Sequence, residues 1–189
     1  MARRVSNADM RLPFLRKSTA TGEPLIVSMT GVRLGESAIF AGRSAAWAVR
    51  LAGRTGLSGR CLVLGTADAT RAIEAAASRE GVLVETATRA PDERVFDLAV
   101  VETGEGWEAA AQDVLRAIRP GGRLVAVTGA PRTGLLARLR GSQTPQPPAE
   151  AITARLAQLG WERVRPIGQR DGVSFVEAFA RQGHSSGSG

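Results

Sequence analysis

Few side chains in this sequence have types and spacing that could do chemistry, and those few stand at the ends of short apolar runs. Gly42-Arg43-Ser44-Ala45-Ala46 follows the run 37–41, and Gly65-Thr66 follows the run 61–64. A turn between a strand and a helix offers free N–H groups at the helix N-terminus, so it is there that an α/β unit meets its ligand. Ser44 and Thr66 are equally suited to capping the helices that follow. Glu102 closes FDLAVVE, residues 96–102. A carboxylate there can act as a base, as an amine anchor, or as a solvated strand end. Asp97, at the entrance of the same run, suits fixing the strand better than chemistry.

Other chemistries lack parts. Cys61 is the only cysteine, His184 is the only histidine and lies in the tail, and tyrosine is absent. One thiol excludes an internal disulfide and any multi-cysteine metal site. Cys61 sits inside an apolar run, as a small buried hydrophobe does. With no metal cluster and no Ser–His pairing legible, hydrolase and metalloenzyme classes have nothing to work with.

The elements that must position these residues alternate. Residues 35–65 read as strand, tight turn, helix, strand: 37–41 closes on Gly42, 45–51 is densely apolar, Gly56 and Gly59 break the chain, and 61–64 ends on Gly65. Such a unit implies a right-handed crossover and a parallel sheet. Ahead of it, Glu23-Pro24 opens a short helix over 25–32 that covers the sheet. Beyond it, 69–79 is helical, Gly81 stops the helix, 82–86 is a third strand and 96–102 a fourth. Apolar positions 107, 110, 111, 114, 115 and 118 predict an amphipathic helix. Pro120-Gly121-Gly122 ends that helix before a fifth strand at 123–128. Residues 131–149 read as a long loop, within which RTGLLARLR, 132–140, is either an amphipathic lid or docking helix or a plain connection. A helix over 151–159 stops at Gly160, and strands at 161–167 and 173–180 flank the hairpin signal Asp171-Gly172. The expected class is α/β: a doubly wound, mostly parallel seven-stranded sheet, helices on both faces, ending in an antiparallel hairpin.

This layout resembles the class I S-adenosylmethionine (SAM)-dependent methyltransferases over residues 25–180. FDLAVVE followed by VLRAIRPGGRLVAV carries the resemblance furthest, since the family's helix ends in L-x-P-G-G before its fifth strand, and Ile118-Arg119-Pro120-Gly121-Gly122 matches that form. The resemblance implies SAM as cofactor, with Gly42, Ser44, Ala46, Gly65, Thr66 and Glu102 at its site and no assigned catalytic residue. At that site the chain departs from the family. The family's glycine-rich turn, near G-x-G-x-G, keeps only Gly42, and Ala45 and Ala46 stand where the backbone approaches the cofactor. Phe40 replaces the acid near the end of the first strand. Gly65 replaces the acid that holds the ribose hydroxyls, expected roughly 20 residues after the turn. The expectation is a methyltransferase-fold binding or regulatory protein in which SAM is weak or absent. The alternative is an active methyltransferase (EC 2.1.1.-) that holds SAM through backbone groups. A rival register makes 61–64 the first strand, Gly65-Thr66-Ala67-Asp68-Ala69 the turn and Glu85 the ribose acid, and leaves 37–41 outside the sheet.

Composition bounds the partners. A chain of 189 residues suits one domain with an adequate core. The formal charge is +7, yet of 25 basic residues only Lys17 is lysine, which reads as coding bias rather than a nucleic-acid footprint. Aromatics are 4% of the chain, too few for a base-stacking platform. A protein or a small molecule in the crevice is therefore the expected partner, and nucleic acid is not. No apolar run reaches the roughly 18–20 residues of a membrane span, and no signal peptide is legible, so a cytoplasmic protein is expected. Residues 1–22 form a basic arm, 23–182 the domain and 183–189 a flexible tail.

Overall fold

A computed structural model describes residues 24–129, 147–170 and 172–182. The basic arm, the segment 132–140 and the tail lie outside the described residues. Pro24 precedes helix α1 (Leu25–Thr30), which Gly31 closes in the left-handed conformation at φ 60°. The chain continues through β1 (Ser37–Ala41), α2 (Ala45–Thr55), β2 (Arg60–Leu64), α3 (Ala67–Glu80), β3 (Glu85–Ala87), β4 (Phe96–Glu102), α4 (Trp107–Ala117) and β5 (Ile118–Thr128). It ends in α5 (Ala149–Gln158), β6 (Glu162–Arg170) and β7 (Val173–Phe179). Among the described residues, no helix is long and apolar enough to cross a membrane.

One seven-stranded sheet runs in the order β3-β2-β1-β4-β5-β7-β6. The first five are parallel neighbours, and β7 pairs antiparallel with both β5 and β6. Side chains alternate across each strand, so β1 sends Ala38 and Phe40 to one face and Ile39 and Ala41 to the other. The first face packs under α1, α2 and α3 through Ile26, Leu51 and Ile73. The second packs under α4 and α5 through Val114, Ile152 and Leu156. This is the doubly wound arrangement expected from the alternation of apolar runs.

Three expectations are corrected. The rival register fails, because Ser37–Ala41 lies inside the sheet between β2 and β4. Glu85 opens β3 rather than ending it and pairs with Arg60 at 2.7 Å, so it stands at the wrong end of the sheet to reach a ribose. The third strand spans Glu85–Ala87, not 82–86. Gly81 adopts φ 66° and the Val82 N–H closes on the Ala77 carbonyl, so the helix stop consumes the first residues of that apolar run. Finally, α4 ends at Ala117 and β5 begins at once with Ile118 paired to Phe96. The pairing register then shifts before Leu98↔Arg123, which accommodates Pro120-Gly121-Gly122 within the strand.

The burial of β1 yields a direct test. Phe40→Ala empties a fully buried site and is expected to cost about 3–5 kcal/mol. Leu57→Ala, at a side chain 91% exposed, is expected to stay within about 0.5 kcal/mol. Urea unfolding followed by circular dichroism checks both, and equal effects would contradict the placement of β1 in the core.

Candidate ligand crevice

From β1 the chain steps outward through β2 to β3, then returns to β4 on the other side of β1. Ligands of open α/β sheets bind outside the carboxyl ends of the strands at such a reversal. A crevice of about 970 Å³ opens there, lined among others by Gly42, Arg43, Gly65, Thr66, Glu102 and Trp107. Its size suits a nucleotide-scale ligand.

The parallel register Ala41↔Val101 sets the turn after β1 beside the end of β4. The Glu102 carboxylate uses that adjacency. Its Oε2 accepts the Arg43 N–H at 2.6 Å, and the Ser44 N–H approaches Oε1 at 3.1 Å and Oε2 at 3.3 Å. Gly42 makes room for this. A Cβ on Gly42 would stand 2.6 Å from Glu102 Cδ and 2.7 Å from its Cγ and Oε2. Two N–H groups of the turn between β1 and α2, which the sequence suggested would face a ligand, therefore hold a carboxylate of the protein itself.

Glu102 is drawn in opposite directions. Burial pushes its carboxyl pKa up, the Arg43 and Ser44 N–H groups and the Arg43 charge pull it down, and burial prevails. Cys61 is a separate case in β2, buried and pushed up to about 12 by burial first and by the Glu85 charge second. Its thiol is inert at neutral pH.

Of the residues singled out from sequence, Gly42, Gly65, Thr66 and Glu102 meet at the crevice. Ser44 caps α2, its Oγ accepting the Trp47 N–H at 3.4 Å. Ala46 is exposed on the first turn of α2 and is not among the lining residues. Phe40 is buried beneath α2, away from the crevice. Asp97 accepts the Ser37 N–H at 2.7 Å and pairs with Arg119 at 2.6 Å, so it fixes the entrance of β4 and β1. Sequence reasoning missed Thr88, Arg89 and Trp107 as lining residues. Trp107 carried a signal, since it opens the amphipathic helix directly after β4. Thr88 and Arg89 carried none, because their position depends on where β3 ends.

No protein-family model matches the sequence, and no curated protein matches it. Solved structures do. A SAM-dependent methyltransferase from Aquifex aeolicus superposes with a TM-score of 0.61 at 15% identity, over 82% of this chain and 87% of that one. One from Methanosarcina mazei gives 0.55 at 18% identity, over 85% of this chain and 98% of the other. The chain has the class I SAM-dependent methyltransferase fold. The fold does not dictate the reaction: the [4+2]-cyclase SpnF matches equally well, with a TM-score of 0.61 at 16% identity over 84% of this chain and 79% of that one.

The raised Glu102 carboxyl predicts a pH dependence. A folded-state pKa above the unfolded value, about 4.3 for glutamate, means that the folded chain holds the proton more tightly. The stability it contributes is complete below the unfolded value and is lost as pH rises through the folded one. Relative to Glu102→Gln, the parent should therefore lose stability over the window that opens at the unfolded value of about 4.3 and runs upward through the folded one. Urea midpoints of the two proteins across that window check this, and a constant difference would contradict it.

Proposed function

We propose that the protein is a methyltransferase-fold binding or regulatory protein in which methyl transfer is weak or absent. One observation carries this reading: the Arg43 and Ser44 N–H groups at the turn after β1 already bond the Glu102 carboxylate. Gly65 adds to it, since it offers no acceptor to ribose hydroxyls at the end of β2. SAM brings a methionyl carboxylate toward the first position and two ribose hydroxyls toward the second. The first would meet like charge and the second no partner, so SAM does not fit the crevice as built. Each lost hydrogen bond of this kind costs roughly 1.5–3 kcal/mol, so two cost roughly 3–6 kcal/mol. That removes about two to four decades of affinity and leaves a micromolar site without practical use.

A second reading draws on the same carboxylate. Glu102 faces the crevice and is suited to accept the SAM ammonium, which would make the protein an active methyltransferase with its acid supplied from β4 instead of β1. Titration separates the two. Calorimetry with SAM and S-adenosylhomocysteine is expected to show no binding tighter than about 100 μM. The double variant Gly65→Asp/Glu102→Ala restores a ribose acceptor and removes the side-chain oxygens that occupy the turn's N–H groups, and it should gain one to four decades. The backbone permits the first change, because a Cβ on Gly65 would meet only Ala69 Cβ and Thr70 Cγ2, both at 3.6 Å. Micromolar binding by the parent, weakened by Glu102→Gln, would favour the second reading.

A further inference from the structure

The opposite end of the crevice carries the opposite charge. The Gly65 N–H donates to the Ala87 carbonyl at 3.1 Å, just past the pairing Leu64↔Ala87. That bond sets Thr88 and Arg89 beside Gly65 and Thr66, and all four line the crevice. Arg89 is exposed, and its guanidinium makes no hydrogen bond or ion pair with any described residue. Thr66 opens α3 without a side-chain capping bond, so its hydroxyl is free to meet a ligand. Among the described residues, three carboxylates besides Glu102 line the crevice: Asp113 accepts the Ala90 N–H at 2.7 Å and pairs with Arg116, Glu108 pairs with Arg155 at 3.6 Å, and Glu105 follows the end of β4 beside Glu102. Gly65 has an ordinary backbone conformation with space for a Cβ, so the missing acid leaves room instead of relieving strain.

We infer that this end of the crevice binds a phosphate carried on the ribose of a nucleotide. The inference rests on the reading that the crevice does not serve SAM. In nucleotide-binding α/β folds, an acid at the end of the second strand takes the free ribose hydroxyls, and an arginine nearby takes a phosphate esterified to one of them. Here Gly65 stands in the place of that acid, Arg89 is the arginine, and Thr66 and Thr88 add hydroxyl donors. A phosphate needs more space than a hydroxyl, which Gly65 leaves, and a charged, forked donor, which Arg89 supplies. A carboxylate at position 65 would repel it.

Calorimetry of the full chain with adenosine, adenosine 2′-monophosphate, adenosine 3′-monophosphate and S-adenosylhomocysteine tests this. One of the monophosphates should bind at least about tenfold tighter than adenosine, and which one does so identifies the hydroxyl. Arg89→Gln, at an exposed position, should bring the ratio of phosphorylated to bare nucleoside close to one with the fold intact by circular dichroism. Gly65→Asp should weaken the preferred monophosphate by about tenfold or more. Equal binding of adenosine and both monophosphates, no binding of any, or a preference that survives Arg89→Gln would overturn the inference. Tight S-adenosylhomocysteine binding by the parent would overturn the underlying reading instead, whatever the monophosphates do.

Discussion

A carboxylate bonded to two backbone N–H groups across neighbouring strands organises the ligand face of this molecule. Glu102 reaches from the end of β4 to Arg43 and Ser44 at the start of α2. Three conditions make that contact possible. The sheet order places β4 directly beside β1, the parallel register aligns their carboxyl ends, and Gly42 leaves the space a side chain would fill. Charge then favours the result, since the N-terminus of a helix is its positive end. Burial works against ionised Glu102, so the contact is a balance between desolvation and two charge-assisted hydrogen bonds.

The contact gives the crevice a polarity. Glu102 makes the β1–β4 end acidic, and Arg89 beside the glycine that ends β2 makes the far end basic. On the proposed reading this polarity counts against SAM, which brings a carboxylate in need of donors to the first end and hydroxyls in need of an acceptor to the second. The scaffold and the site are therefore separable. Buried strands fix the former through residues such as Phe40 and Val100, which never touch a ligand. A handful of strand-end residues fix the latter, and the fold accommodates either set.

Much of this was legible in the sequence, and the residues show why. FDLAVVE matched β4 residue for residue because its centre, Leu98 to Val101, is the short, unbroken apolar run of a buried parallel strand. The third strand slipped because its apolar residues, Val82 and Val84, pack against the α-helical face before pairing begins at Glu85. At the site, Glu102 stood out by ending a strand, but its partners belong to a turn 58 and 59 residues away. Only the sheet order brings them together. Ala46 seemed close to a ligand by alignment with a glycine motif, yet as the second residue of α2 it lies exposed and outside the crevice lining. Arg89 was invisible because nothing local distinguishes it from the other surface arginines.

Everything at the ligand face turns on the Glu102 carboxylate occupying the Arg43 and Ser44 N–H groups just ahead of α2. Amide chemical shifts of Arg43 and Ser44, followed by NMR across the titration of Glu102, test it most directly. Both amides should move with one midpoint, that midpoint should lie above the ordinary glutamate value of about 4.3, and both should become insensitive to the Glu102 titration in Glu102→Gln. Amides that ignore pH in the parent, and exchange with water as freely as unbonded turn residues, would contradict it.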